Sequence, residues 1–142
     1  LPLLLLLAML LRSCRRPVVD MLRKVKGLLS VLFARGRTWQ VAAIAVAAGF
    51  GEEILFRGAL QPLAIYWTSP LVGIVAVSLL FGAAHAATPT YFFFATLVSL
   101  YLGSLAYWSG EILSAGIAHA LYDFLAIEYL LRRSRRASLT SL

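Results

Sequence analysis

Gly51-Glu52-Glu53-Ile54-Leu55-Phe56-Arg57-Gly58 sets two adjacent carboxylates and an arginine inside a stretch that is otherwise as apolar as lipid. A charge at bilayer depth costs roughly 2.5–3.5 kcal/mol even on the lenient insertion scale, so it persists mainly where it pairs or does chemistry. On a helix Glu53 and Arg57 share a face, which allows an internal ion pair. Glu52 lies about 100° round from Glu53 at 3.6 residues per turn and has no local partner. One carboxylate therefore reads as structural and the other as free to act.

The composition places this stretch in a membrane. The chain has 142 residues, 61% hydrophobic and 13% charged, against about 25% charged in soluble domains, and its length suits a single domain. Its net charge of +7 raises the question of nucleic acid, but every basic residue except Arg57 falls in one of two patches, residues 12–37 and 132–136. Patches of this kind beside apolar spans read as cytoplasmic loops and as contacts for anionic lipid. No aromatic-interleaved basic face exists, so nucleic acid is not an expected partner. Cys14 is the single cysteine, which excludes an internal disulfide and a cysteine-rich metal framework. Beside Arg12, Arg15 and Arg16 it reads as an incidental thiol in preference to a juxtamembrane acylation site.

Taken in order, residues 1–11 are a leucine run too short to span and without the preceding basic residues of a signal peptide. They are expected to be the inner end of an N-terminal membrane helix that starts before residue 1. Residues 12–37 follow as a basic cytoplasmic connection, broken by Pro17 and Gly27, whose apolar patches suit an amphipathic helix on the headgroups. Residues 38–131 form the transmembrane domain, and 132–142 a basic cytoplasmic tail. The expected fold is all-α: a polytopic transmembrane helix bundle with about four full spans plus the truncated N-terminal helix. The spans are placed at 39–66, 71–87, 91–108 and 111–131. Trp39, Tyr66, Trp67, Tyr91, Tyr107, Trp108 and Tyr129 stand at their ends as interface anchors. Thr68-Ser69-Pro70, Thr88-Pro89-Thr90 and Ser109-Gly110 supply the turns. An even number of spans puts both basic ends on one side. A straight first span would be about 42 Å long against a core of roughly 30 Å, so Gly58 and Pro62 are expected to bend or end it.

Residues 38–131 carry six formal charges: Glu52, Glu53, Arg57, Glu111, Asp123 and Glu128. Glu111 opens the last helix, where it complements the dipole, and Glu128 precedes Arg132 by four as a surface pair. Glu52 and Asp123 have no such explanation. Both histidines lie in the same apolar stretch, His85 four after Phe81 and His119 four before Asp123. A lone intramembrane histidine is more often a buried hydrogen-bonder than a catalyst. Joined by Glu52, Glu53, Arg57 and Asp123, however, the group must turn inward, because lipid satisfies none of them. A carboxylate with imidazoles in a partly dry cavity takes a proton from water, and a second imidazole with a carboxyl group stabilises the resulting oxyanion. Amide hydrolysis is the natural reaction class. Two other readings stay open: a zinc protease built on His85, His119 and a carboxylate, though no His-Glu-x-x-His pair is present, and a non-enzymatic immunity or scaffold protein whose polar cluster serves packing.

Glu52-Glu53-x-x-x-Arg57, Phe81-x-x-x-His85 and His119-x-x-x-Asp123 follow one another on successive apolar segments. In that order and spacing they resemble the CAAX-protease and bacteriocin-processing (CPBP, or Abi) family of glutamic intramembrane proteases, which includes the Rce1-like prenyl endopeptidases. The resemblance covers about residues 41–130. It implies an intramembrane endopeptidase without cofactor or metal, with 38–131 as its catalytic domain. Glu52 and His85 would activate the attacking water, Glu53 and Arg57 would brace the helix, Phe81 would support the site, and His119 and Asp123 would form the oxyanion hole. The family often has Asn at the last position. An ionised Asp would repel an oxyanion, so Asp123 is expected to be protonated, or else to orient His119. The expected substrate is a peptide or membrane-associated protein, met at the cytoplasmic side of a bacterial cytoplasmic membrane. One conflict stands: His85 falls at the inner end of its span and His119 near the outer start of its own, so convergence requires tilted or uneven helices.

Overall fold

Two hydroxyl-proline pairs and one glycine divide the apolar part of the chain. Ser69 Oγ accepts the Val72 N–H at 3.4 Å and Thr88 Oγ1 accepts that of Tyr91 at 3.0 Å. Pro70 and Pro89 take the first helical position, where no N–H is needed. Gly110 stops a helix in the left-handed region at φ 73°, its N–H donating to the Ala106 carbonyl. The resulting computed structural model describes residues 15–32 and 37–139. Its helices are α1 (Arg15–Leu32), α2 (Thr38–Trp67), α3 (Pro70–Ala84), α4 (Pro89–Ser109) and α5 (Leu113–Leu139), and no strand occurs among the described residues. The leucine run 1–11 and Cys14 lie outside the described residues.

Two of the helices, α2 and α4, are long and apolar enough to cross a membrane. Only 28% and 44% of their apolar windows are buried within the protein, so most of that apolar surface faces outward, unlike a soluble core helix. α3 has 15 residues, about 22 Å, short of a roughly 30 Å core. It stops at Ala84 rather than continuing to 87, because Pro89 forces Thr88 into extended backbone and the chain needs room to turn. α1 corrects the expectation of a broken connection. Pro17 sits in its first turn, where proline is tolerated, and the helix runs on through Gly27. Its Val18 and Met21 are buried, and Leu29 packs beside Val41 and Leu131 on the bundle.

The first span does not end early: α2 runs on through Gly58 and Pro62 to Trp67. Ile54–Leu60 forms a wide π-helical segment, and the Gln61 N–H donates five residues back to Phe56. The bonding frame has therefore already shifted when Pro62 arrives without its N–H. The widened turn also aligns Glu53, Arg57 and Gln61. At the α-helical period each four-residue step overshoots a full turn by about 40°, and a wider turn removes part of that drift.

That line of polar groups sets the packing. Arg57 bonds to Ser99 and Gln61 to Gly103, both at a separation of 42, so α2 and α4 run parallel and in step. α2 and α5 meet closely: a Cβ on Gly49 would stand 2.8 Å from the Ala120 amide nitrogen, and one on Gly116 would stand 2.8 Å from the Phe50 ring. Gly49→Leu is therefore expected to push the two helices apart and cost roughly 1–3 kcal/mol of stability, read as a lower unfolding midpoint in detergent. At the start of α5 the Glu111 carboxylate accepts the Leu113 N–H at 2.5 Å and the Ser114 N–H at 3.1 Å. Hydrogen bonding from Ser114, then from the Leu113 amide, holds this exposed carboxyl below the usual range. Its capping is complete above the unfolded carboxylate's pKa and fades as pH falls through the folded one. Glu128 accepts from Arg132 Nε at 2.8 Å, the pair its spacing foretold.

Candidate active site

The buried half of the site is a bracket around Glu53. Its Oε1 accepts from Arg57 Nη1 at 2.7 Å and from His119 Nδ1 at 2.8 Å, and the whole residue is buried. Arg57 Nη2 is in turn anchored on α4 by the Ser99 carbonyl and hydroxyl, each at 2.8 Å. The guanidinium lies 5.2 Å over the Phe81 ring, a cation–π contact in a dry setting. The pair is met on one side only: Glu53 Oε1 and both Arg57 Nη atoms are bonded, while Glu53 Oε2 and Arg57 Nε are buried without a hydrogen bond to a described residue. Since Glu53 Oε1 is an acceptor, the His119 proton on this side sits on Nδ1 and its Nε2 is turned the other way.

Phe81 is the hub between the two imidazoles. Its ring stacks on His85 with centroids 4.3 Å apart, meets His119 edge-on at 5.8 Å and packs against Phe56 at 4.9 Å. His85 caps α3, and its Nδ1 lies 2.9 Å from the Phe81 carbonyl oxygen. A carbonyl only accepts, so His85 Nδ1 carries the proton and Nε2 faces outward. It faces Glu52: His85 Nε2 lies 3.6 Å and His119 Nε2 3.9 Å from Glu52 Oε2. Asp123 Oδ2 completes the group at 3.6 Å from His119 Nε2. Glu52 and Asp123 keep about a third of their side chains exposed, 32% and 30%, so the cluster is partly open while its bracket and the Glu52 Oε2 atom stay buried.

All four side chains singled out for chemistry, and the three singled out for support, thus lie in one place. The conflict over depth disappears because α3 is short. It has 15 residues, and Glu53 is the fifteenth back from Trp67, so His85 leaves the α2–α3 hairpin level with the two glutamates. A family model for type II CAAX prenyl endopeptidase Rce1-like proteins matches residues 34–125. The chain belongs to that family. No curated protein and no solved structure matches it. Rce1-like proteins are membrane endopeptidases, which accords with two helices long and apolar enough to cross a membrane and with the acid–imidazole cluster.

Two members of this cluster were not foreseen. Ser99 anchors Arg57, and Gln61 Nε2 donates to the Gly103 carbonyl at 2.9 Å. Gln61 was open to discovery, for it continues the four-residue frame of Glu53 and Arg57. Ser99 was not, because only the parallel packing of α2 and α4 reveals it. A cleft of about 610 Å³ shares Arg57 with the site, yet it is bounded by Gly58, Gln61, Tyr66, Tyr107 and Ile112 and touches none of Glu52, His85, His119 or Asp123. The acid–imidazole cluster lies outside that cleft. Among the described residues no three His, Cys, Asp or Glu side chains are arranged to hold a metal ion.

Proposed function

We propose that the chain is an intramembrane endopeptidase that hydrolyses a peptide bond with a water activated by Glu52. The carrying observation is the position of Glu52 Oε2, which makes no hydrogen bond within the protein and lies 3.6 and 3.9 Å from the two Nε2 atoms. Such gaps are too long for direct hydrogen bonds and suit one bridging water. That water attacks the carbonyl carbon, and Glu52 takes one of its protons as the C–O bond forms. His85, its Nδ1–H held by the Phe81 carbonyl, orients the water through Nε2. The carbonyl oxygen becomes the oxyanion and accepts a hydrogen bond from the protonated Asp123 carboxyl, beside His119 Nε2 at 3.6 Å. The proton on Glu52 then passes to the leaving nitrogen as the C–N bond breaks, giving an acid and an amine and restoring the carboxylate.

In this reading α2 to α5 lie in the bilayer with their basic flanks on the cytoplasmic side, and the substrate reaches the cluster from there. The family points to a peptide bond next to a prenylated cysteine or in another membrane-associated protein. The test is cleavage of a quenched farnesylated peptide by purified protein in detergent, run in ¹⁸O-water with and without a chelator. Cleavage with ¹⁸O in the new carboxyl, indifferent to the chelator, is the expected result. Loss of activity on chelation, restored by zinc, would transfer the mechanism to a metal held by His85 and His119. No cleavage of this or of unprenylated membrane-anchored peptides would leave a scaffold role for the cluster. Asp123→Asn keeps a donor beside His119 and is expected to retain cleavage, whereas Asp123→Leu loses it.

A further inference from the structure

α2, α3 and α5 each contribute a polar group to the cluster, and α4 contributes one that the mechanism above leaves without a role. Tyr91 lies in the first turn of α4, its amide donating to Thr88 Oγ1 at 3.0 Å. It was expected among seven aromatic anchors at the membrane interface. The other six, Trp39, Tyr66, Trp67, Tyr107, Trp108 and Tyr129, are all exposed, but Tyr91 is turned inward. Its ring stands perpendicular to that of His85 with centroids 6.2 Å apart, and packs with Ala118 and Tyr122 against the Phe94–Leu102 core.

That hydroxyl makes no hydrogen bond to any described residue. The residue is only partly buried and its hydroxyl stays accessible, so this O–H is available to an incoming group. Tyr91 is followed by Phe92, Phe93 and Phe94, so the local sequence supplies bare rings where only a ring is needed. The hydroxyl, not the ring, is what distinguishes this position. Resting on the hydrolytic reading above, we propose that Tyr91 Oη–H is a further catalytic donor, bonding the scissile carbonyl oxygen and holding it more strongly as an oxyanion. The partner missing from the protein arrives with the substrate.

The test is Tyr91→Phe in the whole chain, which keeps the ring against His85 and removes only the donor. Losing one oxyanion donor typically lowers kcat by roughly 10²–10³-fold. A fall of that order is expected with KM changed little and the unfolding midpoint unchanged. Affinity for a peptide aldehyde, whose hydrate imitates the tetrahedral intermediate, is expected to fall in parallel. Tyr91→Phe cleaving at the wild-type rate, while Glu52→Gln is inactive, overturns this inference alone. The same holds if only Tyr91→Leu is impaired, for then the ring and not the hydroxyl matters. Wild-type protein that neither cleaves peptide nor binds the aldehyde overturns the hydrolytic reading and this inference together.

Discussion

Glu52→Gln is expected to lower kcat by roughly 10²–10⁴-fold, the usual contribution of a positioned general base, and to leave the protein folded. Both halves follow from the same geometry. The Glu52 side chain is about a third exposed, at 32%, and its buried Oε2 has no hydrogen bond within the protein, so an amide of equal size breaks no bond that holds the fold. What the amide cannot do is take a proton from water. KM is expected to stay within a few-fold, because Glu52 meets the water rather than the substrate's anchoring parts. Steady-state cleavage and the unfolding midpoint, measured on one preparation, separate the two halves. Wild-type kcat in the variant would remove Glu52 from the role of base. The same substitution one residue on is expected to behave differently. Glu53 is buried and bonded to both Arg57 and His119, so Glu53→Gln weakens the fold as well as the rate.

Why the motif residues were legible and other features were not has a physical basis. Charges and imidazoles in an apolar chain carry information individually, since each is too costly to keep without a partner. Glu52, Glu53, Arg57, His85, His119 and Asp123 announced themselves that way, and a four-residue spacing paired Glu53 with Arg57 correctly. Helix ends were readable where hydroxyl-proline pairs and Gly110 marked them. Lengths were not, because aromatic residues near a turn read as the edge of a span whether or not the helix crosses the bilayer. The shortness of α3 escaped for this reason, and with it the depth of His85. The π segment of α2 leaves no compositional trace: Gly58 and Pro62 suggested a bend or an end, and only the shift of the Gln61 bond to Phe56 shows how the helix carries on past them. Ser99 belongs to the same class, an ordinary residue given its role by a neighbour 42 positions away.

Arg57→Met is expected to be the most damaging single change to stability, and pairing it with a second change separates fold from chemistry. The substitution leaves the Glu53 carboxylate buried with His119 as its one remaining partner and strips Ser99 of the guanidinium. Removing one member of a buried ion pair costs about 3–5 kcal/mol, chiefly because the other charge stays buried without compensation. The double variant Glu53→Leu with Arg57→Met removes both charges and replaces them by apolar volume, an exchange that is often neutral. It is therefore expected to be clearly more stable than Arg57→Met alone when unfolding is followed by circular dichroism in mixed micelles. Cleavage is not expected to return. His119 Nδ1 has lost the carboxylate that fixed its tautomer and aimed its Nε2 at Glu52 and Asp123, and a carboxylate behind a catalytic imidazole is worth orders of magnitude in rate. A double variant no more stable than the single one would show that the pair is not energetically coupled. A stable and active one would show that Glu53 does nothing for His119, and that the bracket holds helices together without aiming the chemistry.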